Sequence, residues 1–416
     1  MAGAVTAEKR IATLDIVRGV AVLGILAMNI ADFALPSPAY INPLAYGHHG
    51  PADLVSWVAG FLLFDGKMRG LFSFLFGASM LLVIERAEAK GEPSARVHMR
   101  RMAWLGIIGL FHYYLIWHGD ILFGYAAAGA AAWFFHTAGP AKLVRIGIGF
   151  LLAQFLLCAL LAEGVYMLGA AAAVPGATAD VLTAWAGKQN MFGVPSASQL
   201  AETLALDRGS WWGLVDDRLI KDPAGPFVGL LFFSCETIGY MLFGMAALKT
   251  GFLTGGWDAA RYRRIAILCL GGALAVYGVY AALLIADGFS VTAVAAVWLA
   301  ATVPVRPFAV VGTAALIMLA TRSGGPLVAR IAAAGRVAFT NYLGTSLAMT
   351  TLFYGYGFGL FGELRRAELW LVVFVAWGVM LLWSKPWLER FHYGPLEWLW
   401  RSLARGRLQP MRKARA

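Results

Sequence analysis

The sequence predicts an all-α protein: a polytopic membrane helix bundle of about ten transmembrane helices plus a re-entrant or interfacial segment. Three observations carry this. The chain is 60% hydrophobic and 14% charged, where soluble domains carry roughly 25% charged residues. Apolar runs near the length that crosses a bilayer, about 20 residues, recur along it. Basic residues gather between alternate runs, as loops on one side of a membrane do.

Span one covers about Leu14 to Leu35 and carries Asp15, Arg18 and Asn29. Lys9 and Arg10 precede it as in a signal peptide, but the run holds charges and passes 20 residues, so it reads as a retained span. Eleven steps of about 100° bring Asn29 onto the face of Arg18, roughly 16 Å further along the axis. Asp15 is an i,i+3 partner for Arg18. A polar stripe of this kind is costly in lipid unless it faces protein or water. The plainer alternative is that Asp15 and Arg18 snorkel to the headgroups and Asn29 satisfies a neighbouring helix.

Pro36, Pro38 and Pro43 end the span and open a loop holding His48 and His49. The stretch DLVSWVAGFLLF is too short to cross alone, which makes it the re-entrant or interfacial segment. Asp65, Lys67 and Arg69 follow. Spans two to five are read at about Leu71–Ile84, Met102–Trp117, Ile121–Phe135 and Ile146–Ala173. Residues 1–174 thus form an N-terminal membrane half. A long polar connection, 175–226, leads to the C-terminal half, 227–416. There, spans six to ten are read at about Phe227–Leu248, Ile265–Ile285, Val291–Ala320, Val337–Tyr356 and Leu369–Trp383, before a basic tail. Span eight is interrupted by Pro304, Arg306 and Pro307.

With ten spans, the main basic clusters all fall on one side: Lys9/Arg10, Arg86–Arg101, Lys142/Arg145, Arg261–Arg264, Arg322/Arg330/Arg336 and the tail. That side is cytoplasmic by the positive-inside rule, with both termini on it. The net charge of +11 reflects these loops and gives no reason to expect nucleic acid.

Outward features converge on the far end of span one. They are Asn29, His48, His49, His118 and Asp120. An imidazole beside a carboxylate is a simple general base, and an Asn amide can donate to a developing oxyanion. Together they suit acyl transfer. The plainer alternatives are two solvated loop histidines, and Asp120 capping span four. His112 and His136 read as packed or interfacial, His98 and His392 as surface residues. Asn341 and Thr345, with Thr340 and Tyr342 beside them, could line a pocket or serve as interhelical hydrogen-bond glue. Arg306 could face a cavity or bond carbonyls freed at the proline break. Cys158, Cys235 and Cys269 lie in apolar runs and read as buried, reduced thiols. There is no metal-ligand spacing, no phosphate-cradling glycine loop and no nucleophile elbow.

LDIVRGVAVLGILAMNIADFALPSPAYINPLAYG, GLFHYYLIWHGDILFGYA, GRVAFTNYLGTSLAMTTLFY and GPLEWLWR resemble, in order and over nearly the whole chain, bacterial inner-membrane proteins of the YeiB family. That family is similar to the transmembrane domain of heparan-α-glucosaminide N-acetyltransferase, within a broad transmembrane acyltransferase superfamily. In that enzyme an Asp-x-x-Arg-Gly opens the first helix and an Asn follows ten residues later. Asp15, Arg18, Gly19 and Asn29 match. Its catalytic His lies in the next lumenal loop before Ala-Asp-Leu. Here His48 and His49 precede Ala52-Asp53-Leu54, and the differing loop length does not choose between them. Other superfamily members carry His where Asn29 stands. Some YeiB-family members lack a His in this loop, which shifts weight to His118 and Asp120.

The resemblance implies a bacterial inner (plasma) membrane protein that moves an acyl group from cytoplasmic acyl-CoA to an acceptor at the extracytoplasmic face. Acyl-CoA would be the donor, bound near Asp15, Arg18 and Arg336, with Lys67, Arg69, Arg306, Asn341 and Tyr342 as further lining. Expected partners are membrane lipid and a small-molecule or glycan acceptor; a homodimer is compatible with this reading. Two alternatives stand beside it. One is a small-solute transporter, since broken spans with buried charge build carrier sites. The other is a non-catalytic lipid-binding membrane protein.

Overall fold

The computed structural model describes residues 12–48 and 50–413; Lys9, Arg10, His49 and the end of the tail lie outside the described residues. Helix follows helix: α1 (Ala12–Ala34), α2 (Pro38–Ile41), α3 (Pro51–Leu63), α4 (Lys67–Ala89), α5 (Ser94–Leu115), α6 (Leu122–Ala132) and α7 (Pro140–Ala172). Next come α8 (Ala179–Phe192), α9 (Ala197–Asp207), α10 (Trp211–Asp216) and α11 (Gly225–Lys249). A π-helical stretch joins α12 (Ala259–Ile265) to α13 (Gly272–Asp287). Then follow α14 (Val291–Ala295), α15 (Arg306–Ala320), α16 (Pro326–Arg336), α17 (Ala338–Phe353), α18 (Leu369–Arg390) and α19 (Pro395–Arg405).

Hydrogen bonds between loops sort the segments into two ends. At the end where α1 starts, the Thr13 hydroxyl donates to Leu253 O at 2.6 Å, and His136 Nε2 lies 3.4 Å from Glu88 Oε1. Lys249 Nζ donates to His136 O and Ala138 O there, and Trp400 Nε1 to Arg101 O. At the opposite end, Asn42 Nδ2 donates to Phe192 O and Phe289 O, Trp211 Nε1 to Leu115 O, and Arg208 Nε to Phe361 O. So α1, α3–α4, α5, α6, α7, α11, α12–α13, α14–α15, α17 and α18 each run from one end to the other; the stretch read as a separate re-entrant or interfacial segment before span two is continuous with it as α3–α4. Six helices are long and apolar enough to cross a membrane, and up to seven if the bent pair Val291–Ala301 and Arg306–Ala320, at 61°, is one span. The others fall short for visible reasons. α5 opens with Arg96, Arg100 and Arg101, while α6 and α17 are short.

The DLVSWVAGFLLF stretch forms α3 and meets α4 across a break at Phe64–Gly66, the two together making a 39-residue run. Gly66 takes φ 63° at this break, a conformation open to glycine because it has no Cβ. The polar connection is itself helical. Thr178, Ser196 and Ser210 cap α8, α9 and α10 by accepting backbone N–H groups through their hydroxyls.

α1 is largely buried and packs against α4, α16, α17 and α18, while α11 packs against α4, α6 and α7. The N-terminal and C-terminal halves therefore interlock. Two crossings rest on reciprocal glycines. A Cβ on Gly19 would sit 2.0 Å from Ile331 O, and one on Gly335 1.9 Å from Asp15 O. Between α4 and α11, a Cβ on Gly77 would sit 2.0 Å from Met241 O and one on Gly244 1.7 Å from Phe74 O. Without side chains the backbones touch, which maximises packing where lipid supplies no hydrophobic drive between helices.

Glu397 of α19 reaches the start of α17. Its carboxylate accepts from the N–H groups of Phe339 (2.8 Å) and Thr340 (3.1 Å) and from the Thr340 hydroxyl (2.5 Å). Two readings are corrected. His98 is buried, with Nε2 2.9 Å from Gly129 O, because α5 already begins at Ser94 and turns it onto α6. Among the free cysteines, Cys158 is buried, whereas Cys235 and Cys269 are partly exposed.

Candidate functional site

A cavity of about 470 Å³ opens beside the second half of α1, lined among others by Asn29, Asp32, Asp65, Arg69, His118, Asp120, Trp298 and Arg306. Asn29 and Asp32 stand one turn apart, so both face it. The turn after α5 supplies the opposite wall. Trp117 stacks on Phe33 at 3.9 Å between ring centroids, which seats the next residue against α1. His118 Nε2 then lies 3.1 Å from Asp32 Oδ2, with the imidazole partly exposed to the cavity. No side-chain hydrogen bond to Asn29 is found among the described residues, although it is buried.

The carboxylate of His118 is therefore Asp32 and not Asp120, as the sequence had suggested. Asp120 Oδ2 accepts the Phe123 N–H at 2.9 Å, capping α6, and that duty turns it back towards the last turn of α5. There its Oδ1 meets His112 Nδ1 at 2.9 Å, both side chains fully buried. The Tyr342 hydroxyl accepts from the Ile121 N–H at 3.3 Å and lies 3.5 Å from Gly119 O, fixing this turn from α17.

The remaining wall is charged. Glu236, buried in α11, sits between two guanidinium groups. Arg69 Nη2 bonds its Oε2, and Arg306 Nη1 lies 3.3 Å from each oxygen. Arg306 also donates through Nη2 to Trp298 O (3.1 Å) and the Thr302 hydroxyl (2.7 Å). The second of its two sequence readings, bonding freed carbonyls at the break, is thus satisfied together with the first. Lys67 is buried among Phe61 O, Asp65 O and the Tyr277 ring, 3.5 Å from its centroid, and does not line the cavity. Tyr40 donates to Asp65 Oδ1 at 3.1 Å.

The other expected residues lie elsewhere. Arg18 bonds Asp15 at 3.2 Å and the Ser79 hydroxyl at 2.6 Å, near the start of α1. Arg336 ends α16 at that same end, next to the Gly335–Asp15 crossing. Asn341 spends its amide on packing: Nδ2 on Ala334 O and the Ser384 hydroxyl, Oδ1 on Trp383 Nε1. It is interhelical glue, not pocket lining. His48 is exposed and His49 lies outside the described residues. Among the described residues no group of three or more His, Cys, Asp or Glu is placed to hold a metal ion.

Sequence reasoning missed Asp32, Glu236 and Asp207. Asp32 carried a signal, lying three residues after Asn29 on one face. Glu236 carried another, an acid inside an apolar span. Asp207, in the 175–226 connection, belongs to this neighbourhood through its electrostatics. Burial pushes its carboxyl up to about 6, while His118 and Arg218 pull it down.

A family profile described as "Protein of unknown function (DUF418)" matches residues 247–407. The chain is 32% identical to "Uncharacterized protein YeiB" of Escherichia coli (strain K12) over 420 residues, covering 95% of this chain and 96% of that protein. It is 32% identical to "Uncharacterized protein YxaH" of Bacillus subtilis (strain 168) over 414 residues, 98% and 97% of the two chains. A further match, an "Uncharacterized 39.9 kDa protein in amylase 3'region" of Bacillus acidopullulyticus, is 34% identical over 123 residues, covering 29% of this chain and 33% of that protein.

Proposed function

The chain belongs to the YeiB family of membrane proteins, and from that premise we propose that it is a transmembrane acyltransferase. It would move an acyl group from cytoplasmic acyl-CoA to a hydroxyl or amine acceptor at the extracytoplasmic face. The observation that carries this reading is the His118–Asp32 contact beside the unpartnered Asn29 amide on one cavity.

The roles follow from the geometry. Asp32 accepts from the His118 Nε2–H, which leaves Nδ1 with the lone pair and fixes the tautomer of a general base. Nδ1 takes the proton of the acceptor O–H or N–H as that atom bonds to the thioester carbonyl carbon. The carbonyl oxygen becomes an oxyanion, to which the Asn29 amide donates. Collapse breaks the carbon–sulfur bond, and the leaving thiolate takes the proton back from the imidazolium.

The donor would enter at the Arg18 end, where the basic loops gather and which the positive-inside rule makes cytoplasmic, with both termini there. From there its extended arm has roughly 16 Å of α1 to traverse. A void of about 10 Å³ between α1 and α17, lined by Val22, Asn29, Tyr342, Thr345 and others, marks a seam along that line. Arg18 already serves Asp15 and Ser79, so it contributes charge at the entry more than a dedicated bond.

In detergent-purified protein, His118→Ala should lower acyl-CoA turnover about 10²- to 10⁴-fold, and Asn29→Ala about 10²- to 10³-fold. His392→Ala, at an exposed site, should leave it unchanged. Wild-type protein that is folded but neither binds nor turns over acyl-CoA would remove the proposal. One observation favours a transporter instead: the 61° bend at Thr302–Val305 places Arg306 at a helix break on the cavity. Solute flux across vesicles without acyl-CoA would select that reading.

A further inference from the structure

We propose that Arg69 is the recognition point for an oxyanion, a phosphate or carboxylate group on the molecule that occupies the cavity. Only in calling that molecule the acyl acceptor does this rest on the acyltransferase reading.

A guanidinium has five N–H groups. Arg69 lines the cavity and bonds Glu236 through Nη2 alone; Nε and Nη1 find no partner among the described residues. Its plane is held by the Phe233 ring, 4.7 Å from Cζ to centroid. A flat guanidinium held in this way is suited to an oxyanion. Behind it, Arg306 is already spent on Glu236, Trp298 and Thr302, so it supplies field more than contacts.

Arg69 and Arg306 share the single carboxylate of Glu236, while the Asp65 carboxylate, also on the cavity, accepts from Tyr40. The Arg69–Glu236–Arg306 cluster taken by itself keeps one formal positive charge. On the facing wall Asp32 contacts His118 and Asp120 contacts His112. At Arg69 an anionic occupant supplies acceptors to a guanidinium that otherwise shares one carboxylate with Arg306. At about 470 Å³ the cavity is within the range of small-molecule sites. An acceptor bound by its anionic group at Arg69 presents the rest of its body towards His118.

The test uses the full chain in detergent, with no acyl-CoA, and reads binding by titration and thermal shift. One arm compares glycerol 3-phosphate with glycerol. The other compares phosphatidylglycerol with phosphatidylcholine in nanodiscs. The anionic member of at least one pair should bind, more weakly at higher salt, and its neutral partner should not. Response in the first pair identifies a free phosphate compound, in the second a lipid headgroup. Arg69→Gln should weaken anion binding at least tenfold, with Arg69→Lys between it and the wild type. Glu236→Gln leaves two guanidinium groups without their carboxylate, so the anion should raise its melting temperature more than that of the wild type. Equal binding of anionic and neutral members, no binding of either anion, or a folded Arg69→Gln with unchanged affinity overturns the proposal. Because acyl-CoA is absent, failure here leaves the turnover assay of His118 standing, and failure of that assay leaves this result standing.

Discussion

Asp207 shows how a residue with no role in the sequence reading acquires one through its neighbours. Burial raises its carboxyl from the usual 3.8 to about 6, so the folded chain holds this proton more tightly than the unfolded chain does. The stability it contributes is complete below about pH 3.8 and lost as pH rises through about 6. The melting temperature of the wild type should therefore fall between pH 4 and 6.5 relative to that of Asp207→Asn. Parallel pH curves for the two proteins would refute this. At this scale the sequence was legible where partners share a helix. Asp15 and Arg18 pair as i,i+3 spacing requires. It misled where partners come from different helices. His118 and Asp120 are neighbours in the chain, yet the capping duty of Asp120 sends it to His112 and leaves His118 to Asp32 on α1.

Among elements, the glycine crossings set how closely the helices approach. A Cβ on Gly244 would lie 1.7 Å from a backbone oxygen of α4, whereas one on Gly149 of α7 would meet nothing within 4 Å. Gly244→Ala should cost about 1–3 kcal/mol or more through forced separation of α4 and α11. Gly149→Ala should be neutral or stabilising by up to about 1 kcal/mol. Melting temperatures in detergent compare them directly, and an equal effect of both would show that the crossing tolerates a methyl group. Long apolar helices were readable from composition. α8 to α10, α16 and α19 were not, because they are short or amphipathic and lie in segments whose polarity reads as loop. Their helicity comes from caps and from packing, as when α16 lies on α1.

For the whole molecule, the alternation of ends was legible because basic loops mark one of them. The interlocking of the two halves was not, since no pattern in the chain announces that α1 will pack on α16 and α17. Reporter fusions at Gly91 and Ala201 should report opposite sides of the membrane, Gly91 cytoplasmic and Ala201 extracytoplasmic. The same side at both positions would break the ten-span arrangement.

The Glu397 carboxylate that closes the first turn of α17 has a consequence for biogenesis. Synthesis proceeds from the N-terminus, and early segments settle before late ones exist. α17 carries Tyr342, which fixes the Gly119–Ile121 turn, and α17 is itself closed by a group more than fifty residues downstream. The nascent chain can thus place α1, α5 and α6 while α17 still has an open end. The Tyr342 contact on the His118 turn is thus held by a helix whose first turn is closed only once α19 is present.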